Sequence, residues 1–121
     1  MERSYDAIYL AARAKLEVVL GQAGFHVAAE CHYPDSFGSA QTDYRGRHQC
    51  VRLTWDGKDR FLGLSVARVT NTGQRLAPDQ WHGLEPAHTA APVQFMQPGP
   101  SADARIAELT DTLRTYLEAA V

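Results

Sequence analysis

Cysteine is scarce: Cys31 and Cys50 are the two thiols of this 121-residue chain. That is too few for a disulfide framework, and the pair lacks the CxxC spacing of a zinc or redox motif. Reduced thiols are expected. No apolar run approaches the roughly 18 residues needed to cross a bilayer. The opening MERSYDAIYLAARAK has no apolar stretch of the kind a secretory leader carries. A soluble, cytoplasmic protein without a membrane partner is expected.

Motifs that bind phosphate or activate a nucleophile are missing as well. Neither GxGxxG nor GxxxxGK[ST] occurs in the chain, so no backbone cradle for a nucleotide is expected and no cofactor is assigned. GxSxG is absent too, which removes the strand-to-helix elbow that exposes a serine nucleophile. No catalytic residue is assigned. A net charge of −2 provides no overall attraction to nucleic acid or to an anionic membrane.

That average conceals a division. Between Arg45 and Arg75 lie seven basic residues against Asp56 and Asp59, a net +5, and the rest of the chain carries −7. The basic segment 45–75 could contact phosphates through Arg45, Arg47, Arg52 and Lys58. Its aromatic residues, however, fall in phase with apolar neighbours, Trp55 with Val51 and Leu53, which leaves few rings for base stacking. Nucleic acid is the third reading, behind protein binding and small-ligand chemistry.

What is present is ordinary globular material, 45% hydrophobic and 21% charged, enough for one core in a chain of this length. One domain over 1–121 is expected. Apolar residues at spacings of three and four (Tyr5, Ile8, Ala12, Leu16, Val19, Leu20) predict a helix over about 3–22. The period then becomes two. Strands are predicted over about 25–33, 38–45, 49–55 and 60–69, the last two joined by Asp56-Gly57-Lys58-Asp59, a turn chemistry that tolerates positive φ. The segment 71–92 has no sustained period and reads as an irregular loop, with Pro78 placed to open a helical turn. A brief fifth strand over 93–96 follows. Ser101 after Pro-Gly-Pro is a good N-cap for a final helix over 102–120.

This order predicts an α+β fold, in which an antiparallel four- to five-stranded meander sheet carries both terminal helices on one face. The expected inner sheet face is Phe25, Val27, Cys31, Val51, Leu53, Trp55, Leu62, Leu64 and Val66. Cys31 is then a core residue, and Cys50, on the other face, is the more exposed thiol.

Two constellations could carry chemistry. QWHGLEPAH (80–88) holds His82 and His88, six apart with Pro86 between, which is not the four-residue spacing that turns two histidines toward one metal. No metal is assigned, and these two are the weak candidates. Glu30 and His32 share a face of the first strand, and Asp43 or Gln41 would join them if strands one and two pair on that phase. The alternative function is therefore a small enzyme or ligand-binding domain whose pocket lies between the sheet and the 71–92 loop.

In outline, a terminal helix, a meander and a closing helix is similar to small bacterial secretion chaperones and toxin-immunity proteins. The missing middle helix departs from the chaperone pattern. The resemblance implies a protein that acts by binding another protein. The leading expectation is a non-enzymatic binding module, homodimeric, that uses the open sheet face or an aromatic anchor in the loop. Its contact candidates are Trp81, Leu84, Arg45, Arg52, Glu30 and His32.

Overall fold

A computed structural model describes residues 6–72, 75–78, 81–84 and 99–119. The elements are α1 (Ala7–Gln22), β1 (His26–Tyr33), β2 (Ser39–Arg45), β3 (Gln49–Asp56), β4 (Phe61–Thr72), β5 (Arg75–Pro78), β6 (His82–Gly83) and α2 (Pro100–Ala119). The fold is α+β, as the sequence pattern requires. All strands are antiparallel and run in the order β1-β2-β3-β4-β5, with β6 also on β4.

Both helices bury an apolar stripe on the same sheet face. From α1 come Ile8, Tyr9, Ala12, Leu16, Val19 and Leu20, and from α2 come Ala102, Ile106, Leu109 and Leu113. The sheet contributes Ala40, Tyr44, Val51, Leu53, Trp55, Leu62, Leu64 and Val66. Every second residue of β2, β3 and β4 points inward, which is what a sheet covered on one side demands. We call the other side the distal face.

Asp6 starts α1 by accepting the Ile8 N–H at 2.8 Å, the usual capping contact for an orphan donor of the first turn. The last helix begins at Pro100, one residue before the expected cap. Proline is suited to a first helical position because its missing N–H would have had no partner there.

In β1 the face assignment changes partway along. Val27 lies opposite Tyr44 and Ala29 opposite Asp43, so Ala28 is an extra residue with no partner in the register. This is a β-bulge, and it shifts the side-chain phase by one. Phe25 keeps its inward place and packs against the core. From Ala29 onward the expected faces reverse: Cys31 lies opposite Gln41 on the distal face, while Glu30 and His32, opposite Thr42 and Ala40, turn toward the helices.

The segment read as irregular over 71–92 holds two strands. Residues 69–72 pair with β5, and 65–66 pair with β6, with the offset changing by one residue between the two ladders. The Leu84 N–H donates to the Leu64 carbonyl at 2.7 Å, which continues the β6 ladder. The chain therefore returns along β4 as an interrupted strand. Pro78 is the last residue of β5, and residues 79–80 of the expected helical turn lie outside the described residues. The expected strand over 93–96 and His88 lie outside the described residues.

Candidate functional site

The distal face is read most easily as rows of residues across the sheet. Register places Asp43 opposite Arg52 and Arg52 opposite Ser65, with Gly83 next in line. The neighbouring row is Arg45, Cys50 and Ala67, and Trp81 directly precedes β6, whose His82 lies opposite Val66. Gln41, Thr54 and Gly63 form the row on the other flank.

Arg52 is the centre of this face. Its Nε donates to Asp43 Oδ1 at 2.8 Å and its Nη2 to Asp43 Oδ2 at 3.0 Å. A two-point contact of this kind fixes the guanidinium plane as well as its position. The Arg52 guanidinium carbon also stands 4.0 Å from the centre of the Trp81 ring, inside the range of a cation–π contact. The hydrogen bonds to Asp43 raise the Arg52 pKa above its ordinary value, so this cation persists at any pH where the fold exists. Asp43, Arg52 and Trp81 thus form one oriented stack in which the aromatic and the cation are both half-buried.

The expected contact residues are divided among different surfaces. Trp81 and Arg52 are brought together, and Arg45 is on the same face one row away. Leu84 is not on that face: it packs against the core from the strand beside β4. Glu30 reaches Arg13 of α1 at 2.6 Å on the helix side. His32 is half-buried on the same side, and Asp43 is on the opposite one. The acid–base grouping of Glu30, His32 and Asp43 does not assemble, because the bulge at Ala28 separates it. His82 is exposed, and among the described residues no three His, Cys, Asp or Glu side chains converge as a metal site would need.

Both thiols lie on the distal face, Cys50 as expected and Cys31 not, and their expected order of exposure is reversed. Cys50 lies on the distal face but is only 6% exposed, and burial pushes its thiol pKa up. Cys31 is half-buried and free, and its thiol interacts with Tyr33, whose phenol is pushed up in turn.

The basic segment is dispersed. Arg47 stands in the β2–β3 turn and Lys58 in the β3–β4 turn, at opposite ends of β3. Arg52 is paired with Asp43, and Arg60 lies 3.4 Å from Asp6. Arg45 and Arg68 lie at the same end of β3 as Arg47.

Among the described residues the helix side has several clefts, including a small one between Ile8, Ala11, Ala102 and Ile106 at the N-terminal ends of the helices and two larger ones. One, of about 270 Å³, is at the C-terminal ends of the helices between Val19, Ala23, Arg114 and Leu117. The other, of about 200 Å³, is bounded by Glu17, Leu20, Phe25, His26 and Tyr44. Glu17 accepts hydrogen bonds from Tyr44 Oη at 2.6 Å and Arg13 Nε at 3.0 Å, so the carboxylate in the second cleft is already engaged by the protein. No helix among the described residues is long and apolar enough to cross a membrane.

Sequence reasoning named Trp81 and Arg52 but missed Asp43 as their partner, because only the register of three strands places Asp43 and Arg52 side by side. No protein-family model, curated protein or solved structure matches this chain.

Proposed function

We propose that this chain is a small intracellular, non-enzymatic module that binds another protein through the distal face of its sheet. The supporting observation is the Asp43–Arg52–Trp81 stack. Tryptophan and arginine are the residues that most often dominate protein interfaces. Here both are held in place before any partner arrives, which reduces the ordering that binding must impose. Two Arg52 nitrogens serve Asp43, which leaves Nη1 for an acceptor on the partner. Gln41, Thr54, Ser65 and Arg45 surround the stack with further polar groups, the usual composition of an interface rim.

The test is retention of copurifying protein by the tagged chain and by its Trp81→Ala and Arg52→Glu variants at near-physiological salt. Each variant should weaken the complex at least about tenfold, equivalent to about 1.4 kcal/mol, while leaving the circular dichroism spectrum intact. If folded variants keep every association of the parent chain, the distal face is not the contact surface.

A further inference from the structure

The cleft beside Glu17 lies where α1, β1 and β2 meet. Helix α1 ends at Gln22, Gly24 turns the chain at a φ of +85°, and the Phe25 N–H donates to the Leu20 carbonyl at 2.8 Å. This turn brings Phe25, His26 and Val27 alongside Glu17, Leu20 and Gly21, and Tyr44 closes the space from the sheet. Val27 stands opposite Tyr44 in the β1–β2 register, so it is on the helix side, yet it is 43% exposed. The Phe25 ring lies flat on the β2–β3 turn: a Cβ at Gly46 would stand 2.7 Å from it. The cleft thus has one fixed aromatic wall and one apolar side chain that the helices leave uncovered.

Its polar group is a carboxylate held in place. Tyr44 Oη and Arg13 Nε both donate to Glu17 Oε2. The two oxygens of a carboxylate can accept about four hydrogen bonds between them, so these two orient the group without exhausting it. Arg13 also reaches Glu30 at 2.6 Å. One cation therefore serves two carboxylates, and the cluster keeps an excess of one negative charge. An anion is repelled from such a place. A metal ion finds a single carboxylate there, and among the described residues no three His, Cys, Asp or Glu side chains converge.

We infer that this cleft binds a small organic cation, a primary ammonium on a flat apolar body about the size of one ring. The ammonium donates to Glu17, and the body lies against Phe25 and Val27. Aromatic ring faces attract cations, and Phe25 and Tyr44 both line the cleft. Its volume of about 200 Å³ is below that of sites for drug-sized ligands, which limits the body to a single ring. The inference goes beyond the distal-face reading, and its test involves neither Arg52 nor Trp81.

The experiment titrates phenethylammonium into the full chain and follows the backbone amides by two-dimensional NMR. Saturable shifts should centre on Gly21, Phe25, His26 and Val27, leave Ser65 on the distal face unmoved, and reach half-saturation near about 1 mM, as suits so small a ligand. Phenethyl alcohol and phenylacetate keep the ring without the positive charge and should bind at least about tenfold more weakly. N-acetyl-lysine amide, standing for a lysine side chain of another protein, offers no ring to Phe25 and should also bind at least about tenfold more weakly. Glu17→Gln keeps an acceptor for Tyr44 and Arg13 but removes the charge, and should weaken phenethylammonium binding at least about tenfold. Val27→Lys, at an exposed position, supplies the cleft with the chain's own ammonium and should abolish binding in a folded protein. Absence of saturable shifts would overturn the inference, as would shifts centred on the distal face, or a folded Glu17→Gln or Val27→Lys that binds as the parent chain does. Equal affinity for phenethyl alcohol would overturn the role of charge, and equal or tighter binding of the lysine derivative would overturn the small-amine assignment.

Discussion

At the scale of single residues, the sequence carried the identities but not always the reasons. Asp56-Gly57 does mark the β3–β4 turn, yet Arg60, not Gly57, has positive φ there. Asp56 Oδ1 accepts the Lys58 and Asp59 N–H groups, the side-chain mimicry of a turn available to aspartate. Gly57 is required for another cause: a Cβ there would stand 1.9 Å from the Phe37 carbonyl oxygen. That contact comes from the neighbouring β1–β2 turn, so local turn chemistry cannot reveal it. Gly57→Ala should therefore destabilise the fold by roughly 1–3 kcal/mol through overpacking, read as a lowered midpoint in urea with an unchanged slope. A midpoint equal to that of the parent chain would mean that the two turns separate freely.

At the scale of elements, α1 and the β2–β4 meander follow directly from period and spacing, because each buries one face. The edge strand does not. The bulge at Ala28 leaves no mark in HVAAECHY, whose alternation reads continuously, and one uncounted residue exchanges the faces of Cys31, Glu30 and His32. The seam between α1 and the sheet is polar for a related reason: the helix lies over the strands near the β1 edge. Tyr9 and Thr42 hydrogen-bond one another by their hydroxyls, and Arg13 links Glu17 and Glu30.

Burial and the bond to Glu17 push the Tyr44 phenol above its ordinary value of 10.0. The unfolded chain ionises this group near that value, whereas the folded chain holds the proton. The contribution of Tyr44 to stability is thus complete below about pH 10 and is lost as pH rises beyond it. Tyr44→Phe should cost about 1–2 kcal/mol at neutral pH through the lost hydrogen bond to a carboxylate. The gap from the parent chain should then narrow above pH 10. A gap that stays constant through that range in denaturant titrations would place the Tyr44 hydroxyl in water.

At the scale of the whole molecule, the fold class is legible because four strands and two helices each declare an apolar face, and one antiparallel sheet is the simplest way to cover them all. The return strand is less legible: β5 and β6 are four and two residues long, and the offset between their ladders breaks any period of two. For the same reason Trp81 reads as a loop anchor in sequence and lies beside a strand in the structure. Arg52 and Trp81 are 29 positions apart, and only the path of β4 and its return strand brings them to 4.0 Å. The candidate site is thus a product of register, and its members could be named separately but not assembled.

The central claim, that the distal face is the surface used on a protein partner, is tested most directly by site-specific photo-cross-linking in cells that naturally express the chain. One photoreactive residue replaces Ser65, opposite Arg52 on the distal face, and another replaces Lys15, exposed on α1. The account predicts a discrete adduct with another protein from position 65, lost in the Trp81→Ala background, and none from position 15. Adducts from position 15 alone, or an adduct at 65 indifferent to Trp81, would contradict it.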